Sequence, residues 1–213
     1  MDRASPIDLC SHRRSGTHYL ASTLLINFLF PPGVAVAVRV PAGRVFRRGR
    51  AVYRPGEVAP IPWGGIWRSH YPYAARARDP ARTLYVARDP VETLMSCWRL
   101  SDPTMISQAD AFVGPRSVEH WLRHVVGFID AGIEVVWYDD LAGPGHDAVL
   151  ARIEARFGLH RRQEAFRRQD RRVGWYPYPE PQQPQEPPPR LLNAVFSMIP
   201  REHGGHVLRR REW

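Results

Sequence analysis

One short stretch near the amino terminus, Leu9–Leu20, constrains the fold of this chain more than any other. It reads Leu-Cys-Ser-His-Arg-Arg-Ser-Gly-Thr-His-Tyr-Leu. An apolar run, a small basic turn and an apolar-periodic segment predict a strand over Ile7–Ser11, a loop, and a helix over Gly16–Phe30. The first backbone N–H groups of a helix lack intrahelical partners, and the helix dipole adds positive charge there. The sequence therefore predicts a binding site for a phosphate or a sulfate at this turn.

This turn is not the lysine-containing phosphate loop of ATP- and GTP-binding enzymes. That loop has a lysine directly before its Ser or Thr and a fixed glycine spacing. Here no lysine occurs anywhere in the chain, because all 30 basic residues are arginine. Ser15, Gly16 and Thr17 supply small side chains and hydroxyl donors, while Arg13 and Arg14 supply charge. The pattern is still typical of an anion-binding site, but the missing lysine disfavours a phosphoryl-transfer enzyme.

A second junction between a strand and a helix follows at residues 82–100. Thr83–Arg88 is a β-prone run, and Asp89–Glu92 then reads as an N-cap, a proline at the first helical position and a capping-box glutamate. Arg88 is expected where the strand becomes the helix, and Ser96 about two turns further on. Ligands of parallel sheets bind at the carboxyl ends of the strands, so both side chains are candidates for holding an anion. The structural alternative is a buried Arg–Asp pair.

Together the two junctions resemble the sulfotransferase family that uses phosphoadenosine phosphosulfate (PAPS). In that family a Pro-Lys-Ser-Gly-Thr loop binds the 5′-phosphosulfate, and a later Arg-Asp-Pro unit with a helix serine binds the 3′-phosphate. Arg14–Thr17 matches the first motif with arginine in place of lysine, and Arg88–Pro90 with Ser96 matches the second. The resemblance implies that Tyr19 contacts adenine. The cofactor-binding residues implied in this way are Arg13, Arg14, Ser15, Gly16, Thr17, His18, Tyr19, Arg88 and Ser96.

A third match supplies a candidate general base. The segment Ile66–Pro72 resembles the family segment Lys-Thr-His-x-Pro, in which the histidine ends a strand and accepts the proton of the acceptor. His70 is the counterpart of that histidine, and imidazole is the side chain best suited to accept a proton near neutral pH. His12 and His18, within the predicted anion-binding loop at residues 12–18 (the anion loop), are the alternatives. The implied catalytic residues are His70 and Arg14, with the guanidinium stabilising the leaving phosphate.

Strands alternating with helices predict a single α/β domain with a central parallel sheet flanked by helices. The resemblance implies the P-loop-like sulfotransferase architecture for that domain. Residues 1–175 are predicted to form the α/β domain, 176–189 a proline-rich linker or lid, and 190–213 a C-terminal helix and basic tail of the same domain. Pro41–Trp63 looks irregular, and this segment and Ser101–Arg116 are expected to shape the acceptor pocket.

The net charge of +9 admits nucleic acid, an anionic membrane or a small polyanion as a partner. The resemblance selects the polyanion, PAPS, with its product PAP and a small-molecule or glycan acceptor that bears a hydroxyl or an amine. Paired arginines over residues 161–172 suggest a basic helix face, but no module that reads nucleic-acid bases accompanies them. The segment that closes over the nucleotide is either the basic C-terminal tail or Arg171–Trp175.

Other classes of function are less favoured. Cys10 and Cys97 are not clustered, and no metal-binding motif is present, so neither a disulfide framework nor a metal cofactor is expected. No apolar segment is long enough to span a membrane, and no leader is recognised, so the cytoplasm is the expected location. Two alternatives remain: a nucleotide or small-molecule kinase of related fold, and a non-catalytic basic module that binds nucleotides or nucleic acid.

Overall fold

The structure is a computed structural model that describes residues 7–29, 36–38, 46–48, 51–53, 66–69, 80–99, 113–168 and 186–209. Its strands are β1 (Ile7–Ser11), β2 (Val36–Val38), β3 (Phe46–Arg48), β4 (Ala51–Tyr53), β5 (Ile66–Ser69), β6 (Thr83–Ala87), β7 (Glu134–Trp137), β8 (Glu202–His203) and β9 (His206–Val207). Its α-helices are α1 (Thr17–Asn27), α2 (Pro90–Arg99), α3 (Pro115–Asp130), α4 (Tyr138–Ala142), α5 (His146–Phe157) and α6 (Pro189–Met198).

Five strands form one parallel sheet in the order β2-β5-β1-β6-β7. Cys10 of β1 aligns with Ser69 of β5 and with Tyr85 of β6, so the carboxyl ends of these strands meet at one edge. From β1 the chain continues to β2 on one side of the sheet, and from β6 it continues to β7 on the other. Loops that leave neighbouring strands in opposite directions form the crevice in which α/β proteins bind ligands. The α/β fold with a parallel sheet flanked by helices is confirmed.

Helices cover both faces of this sheet. Successive residues of β1 face opposite sides: Leu9 belongs to the core under α1 and α5, and Cys10 to the core under α2, α3 and α6. All five residues of β6 are buried, as expected of a central strand with both faces covered. On α3 the spacing of Trp121, Val125 and Phe128 places their fully buried side chains on one face. Each such side chain stabilises the fold by about 1.5–3 kcal/mol.

Helix α1 is shorter than the helix predicted over Gly16–Phe30. It ends at Asn27 because Phe28 is extended, with φ −120° and ψ 152°, and pairs with Arg161 in an antiparallel bridge. The guanidinium of Arg162 then donates from Nε to the carbonyls of Leu25 and Phe28 at 3.0 and 2.8 Å. These bonds satisfy carbonyls that a helix end leaves without partners. The prediction for the last turn is therefore wrong.

Three further expectations need correction. The segment Pro41–Trp63 contains the antiparallel pair β3–β4, so it is not wholly irregular. The β-prone run Ile133–Tyr138 predicts a strand that ends at Tyr138, but the strand ends at Trp137 and Tyr138 begins helix α4. The arginines at positions 161–168 do not form a helix face: Arg161 makes a 2.7 Å ion pair with Glu154, and the chain around it is not helical.

The division at residues 175 and 189 stays a prediction, although α6 contributes Leu191 and Val195 to the core that also contains Trp121 of α3. Arg171 and the rest of the segment to position 185 lie outside the described residues. Within the described part of the chain, no helix is both long and apolar enough to cross a membrane.

Candidate functional site

The loop between β1 and α1 leaves the start of the helix without a side-chain cap. Arg14 and Gly16 both have left-handed backbone, with φ of 68° and 98°. The Ser15 N–H donates to the carbonyl of His12 at 3.3 Å, which closes the turn. Gly16 is the N-cap of α1 and no side chain caps the helix. Left-handed residues in such a turn aim backbone N–H groups into a concavity that suits an anion, and the helix dipole adds to it.

Glycine is required at position 16 for two reasons. Its left-handed φ disfavours any residue with a Cβ. The ring of Tyr138, at the start of α4, also lies against it: a Cβ at position 16 would overlap Tyr138 Cδ2 and come within 2.9 Å of Cε2. The same ring meets Tyr19 edge-on, with the ring centroids 5.5 Å apart. Tyr138 therefore forms one wall of the anion loop.

The junction between β6 and α2 lies next to this loop. As predicted, Asp89 caps the helix, since its Oδ1 accepts the N–H of Glu92 at 2.9 Å. The Glu92 side chain faces Arg88, whose Nε and Nη2 donate to Glu92 Oε2 at 2.7 and 2.6 Å. Arg88 therefore pairs with Glu92, whereas the structural alternative predicted an aspartate as its partner. The Arg88 guanidinium also lies 4.8 Å from the ring centroid of Tyr138, a cation–π distance.

The two motifs meet in space. Arg14 Nε donates to Ser96 Oγ at 3.2 Å, although 82 positions separate these residues. Tyr138 completes the junction because it touches Gly16 and Tyr19 on one side and Arg88 on the other. Sequence reasoning missed Tyr138 as a site residue. The sequence feature that could have indicated it is its position directly after β7, the strand that pairs with β6 in the same sheet.

The other predicted residues are placed as follows. Arg13 is exposed, and Ser15 is buried with an Oγ that makes no hydrogen bond to any residue the structure describes. The buried Thr17 hydroxyl bonds to the hydroxyl of Ser11. His18 belongs to the first turn of α1, but its side chain is not among those described. His70 lies outside the described residues, one position after the end of β5 at Ser69.

A cluster of histidines lies on the opposite side of the loop from Tyr138. His12 Nε2 is 3.2 Å from Nδ1 of His120, and the His12 backbone N–H donates to the Tyr85 hydroxyl at 3.2 Å. That hydroxyl is 2.9 Å from Nδ1 of His124. Burial raises the pKa of Tyr85, so it remains a hydroxyl and a hydrogen-bond donor. Sequence reasoning named His12 only as an alternative base and did not find this cluster, which joins residues over 100 positions apart.

The thiol of Cys97 supports the loop from α2. Burial raises the pKa of Cys97 to about 11, which outweighs the opposing effect of Arg14 and Arg13. The group is therefore a protonated thiol at neutral pH, and it donates to the Arg13 carbonyl at 3.6 Å. Among the described residues, no three His, Cys, Asp or Glu side chains are placed to hold a metal ion.

The C-terminal segment is attached near the same edge. Arg209 donates from both terminal nitrogens to the two carboxylate oxygens of Asp140, at 2.6 and 2.7 Å. The guanidinium also lies 5.6 Å from the ring of Trp137. Bidentate pairs of this kind fix orientation as well as distance. The start of the basic tail is thus tied two residues from Tyr138.

Among solved structures, the mouse sulfotransferase SULT7A1, determined in complex with PAP, matches with a TM-score of 0.50 and 19% sequence identity. The chain has a sulfotransferase-like fold. The match covers 74% of this chain, which spans about 60% of the length of the mouse protein. No model of a known protein family matches the sequence, and no curated protein matches it.

Such a site can bind a ligand with two anionic groups. One group suits the start of α1, which has no side-chain cap, together with Arg14, and a second suits Arg88 and Ser96. Between the cations the aromatic rings of Tyr19 and Tyr138 offer a surface for a flat ring. Arginine stays charged at any physiological pH, so this site supplies positive charge and hydrogen bonds rather than protons.

Proposed function

We propose that the protein is a PAPS-dependent sulfotransferase, which moves a sulfuryl group from PAPS to a hydroxyl or amine of a small molecule or glycan. The contact between Arg14 and Ser96 carries this proposal, because it joins the motif expected at the 5′-phosphosulfate to the motif expected at the 3′-phosphate. The sulfotransferase-like fold supports it further.

The 5′ end of the nucleotide is assigned to the anion loop. Ser15, Gly16, Thr17 and His18 lie at the start of α1, where backbone N–H groups carry no side-chain cap. Arg13 and Arg14 add charge to this end of the site. As the bond between sulfur and the bridging oxygen breaks, negative charge grows on the phosphate, and these donors are already oriented to stabilise it.

The 3′ end is assigned to Arg88 and Ser96. Two nitrogens of the guanidinium already face Glu92, so a 3′-phosphate would meet the remaining donors of Arg88. The adenine is assigned to the aromatic surface of Tyr19 and Tyr138, which lies between the two anion positions. Tyr138 is the addition that the geometry makes to the set expected from the sequence.

The transfer itself needs a base but no metal in this proposal. His70 accepts the proton of the acceptor hydroxyl while that oxygen attacks sulfur, and the electron pair of the broken S–O bond goes to the phosphate of PAP. That leaving group is a weakly basic anion, so charge from Arg14 suffices and no proton donor is required. The two cysteines are both free thiols, which agrees with the proposed cytoplasmic location.

The cofactor is tested first by calorimetry and thermal melting with PAP in the presence of EDTA. We expect saturable binding and a rise in Tm, since a ligand that binds only the folded state stabilises it. ATP with Mg²⁺ tests the kinase alternative, and random-sequence DNA at several salt concentrations tests the nucleic-acid alternative. No binding of millimolar PAP, alongside binding of either other ligand, would overturn the proposal.

The base is tested by His70→Ala, with His206→Ala as a matched control because His206 is an exposed histidine on β9. With an acceptor found by screening, His70→Ala should lower turnover by about a hundred- to ten-thousand-fold, the usual contribution of a general base. PAP affinity should stay nearly unchanged, because the base faces the acceptor. Full turnover would transfer the role to His12 or His18, and loss of PAP binding would make His70 a nucleotide contact.

A further inference from the structure

The anion loop contains one residue with strained backbone, Arg14, and neighbouring groups must stabilise that conformation. Arg14 has φ 68°, and a residue with a side chain in this region costs about 1–2 kcal/mol relative to ordinary backbone. The strain turns the chain so that the guanidinium reaches Ser96 at 3.2 Å. Other backbone conformations of Arg14 would be lower in energy and would aim its side chain differently. The residues that hold the turn therefore decide where the charge of Arg14 lies.

The carbonyl of Arg13, which directly precedes Arg14, accepts hydrogen bonds from two side chains. His12 Nδ1 lies 3.0 Å from the oxygen of Arg13, and Cys97 Sγ lies 3.6 Å from it. A carbonyl oxygen only accepts hydrogen bonds, so the hydrogen of the imidazole is on Nδ1. The Ser15 N–H closes the turn onto the carbonyl of His12. The first loop residue thus holds both the peptide before Arg14 and the peptide after it.

His12 is itself fixed from the sheet and from α3. Its backbone N–H donates to the hydroxyl of Tyr85, and that hydroxyl lies 2.9 Å from Nδ1 of His124. His12 Nε2 lies 3.2 Å from Nδ1 of His120, within hydrogen-bond distance. The imidazole is 7% exposed, and its ring centroid lies 5.2 and 5.6 Å from those of His120 and His124. Among the residues that the structure describes, the titratable groups near it include these two histidines, Tyr85, Cys97 through the shared carbonyl, and the loop arginines.

We propose that His12 is a positioning residue for Arg14, which donates from Nδ1 to the Arg13 carbonyl and so holds the left-handed turn that presents the guanidinium to Ser96 and to the anion. This inference rests on the proposed function for the identity of the anion, PAP. It does not require His12 to touch substrate. His120 supports the ring from the surface, and the Tyr85 hydroxyl supports the backbone.

Two near-isosteric variants separate the hydrogen bond from the bulk of the side chain. In His12→Asn the side-chain N–H₂ takes the place of Nδ1–H and still reaches the Arg13 carbonyl. In His12→Gln the amide takes the place of Nε2, faces His120 and leaves that carbonyl without this donor. PAP affinity is measured by calorimetry for both, and hydrogen–deuterium exchange of the peptide over residues 11–20 is measured without ligand.

We expect His12→Gln to weaken PAP binding by about three- to tenfold, the worth of one hydrogen bond, and to speed exchange in the loop by a similar factor. His12→Asn should stay within about threefold of the wild type in both measurements. Equal effects of the two variants, or an unchanged His12→Gln, would overturn the proposal. If His12→Gln does not fold, His12→Asn alone decides: binding within threefold supports the role, and a larger loss refutes it.

The same data separate this inference from the proposed function. A wild type that does not bind PAP, with faster loop exchange in His12→Gln only, retains the positioning role and removes the sulfotransferase assignment. A wild type that binds PAP, with identical loop exchange in all three proteins, retains the assignment and removes the role of His12.

Discussion

Two strand-to-helix junctions lie side by side at the same edge of the sheet, and their helices begin in opposite ways. At the first, α1 begins after Gly16 with no side-chain cap. At the second, the carboxylate of Asp89 already accepts the Glu92 N–H at 2.9 Å. Both follow neighbouring strands, β1 and β6, and they differ in the residues of their loops.

The proposed function requires both junctions to hold an anion, and this difference means that each would hold it by different groups. The first offers backbone N–H groups and the helix dipole, with Arg14 as an added charge. The second has a negatively charged cap at its helix end, so only side chains, Arg88 and Ser96, can attract an anion there. A ligand with two phosphates would be held by backbone at one end and by side chains at the other. Substitutions should therefore affect the two ends differently.

The largest effect is expected from Gly16→Ala, which tests the backbone end. The left-handed φ and the overlap with the Tyr138 ring together should lower the free energy of unfolding by about 2–5 kcal/mol and abolish PAP binding. Gly132→Ala is the matched control: its φ is 68° but no atom lies within 4 Å of the new Cβ, so only about 1 kcal/mol of strain is expected. Equal losses of Tm in the two variants would show that Tyr138 does not restrict the loop.

Arg88→Ala tests the side-chain end and should have the next largest effect. Loss of a charge-assisted contact should weaken PAP binding by roughly ten- to a hundred-fold, equivalent to about 1.5–3 kcal/mol, and should change affinity for the 3′-desphospho nucleotide much less. Because the substitution also leaves Glu92 facing the phosphate, the double variant Arg88→Ala/Glu92→Gln separates lost attraction from added repulsion.

The control for this comparison is Arg152→Ala, which removes an exposed guanidinium whose contact with Glu134 is 3.5 Å long. It should bind both nucleotides as the wild type does. If Arg88→Ala weakens PAP and the desphospho nucleotide equally, Arg88 does not read the 3′-phosphate.

The smallest effect is expected from Asp89→Ala. Loss of the N-cap should lower the free energy of unfolding by about 1 kcal/mol, a fall in Tm of about 2–4 °C for a chain of this size. PAP affinity should change by less than about threefold, because the helix end at this junction does not hold the anion. Asp89→Asn keeps an oxygen that accepts the Glu92 N–H and should restore stability. A large loss of PAP affinity in both variants would show that the two junctions act alike.

Local signals predicted much of this site. The strand at Ile7–Ser11 matches its predicted bounds, and α1 begins within one residue of its predicted start. The Asp89 cap was also predictable, because an N-cap bond spans three residues. The role of Glu92 was ambiguous from the sequence, because its side chain can reach both the start of its own helix, as a capping box predicts, and Arg88 one turn away. In the structure it faces Arg88.

Other features depend on which distant elements pack together. The end of α1 at Asn27 depends on Arg162, which donates to its carbonyls from 134 and 137 positions away. His12 and His120 meet because α3 packs beside β6, and their separation of 108 positions leaves no local pattern to detect. Tyr138 reaches Gly16 because β7 pairs with β6 and so places α4 at the crevice.

The sequence by itself determined that the chain forms an α/β fold with a glycine-containing turn between its first strand and first helix, and a capped helix after Arg88. These features follow from periodicity, capping and turn chemistry, all of which act over a few residues. Only the tertiary structure decided that Arg14 meets Ser96, that Tyr138 closes one side of the loop and that His12 holds the other. Those contacts depend on strand order and on helix packing, which bring together residues that no local interaction connects.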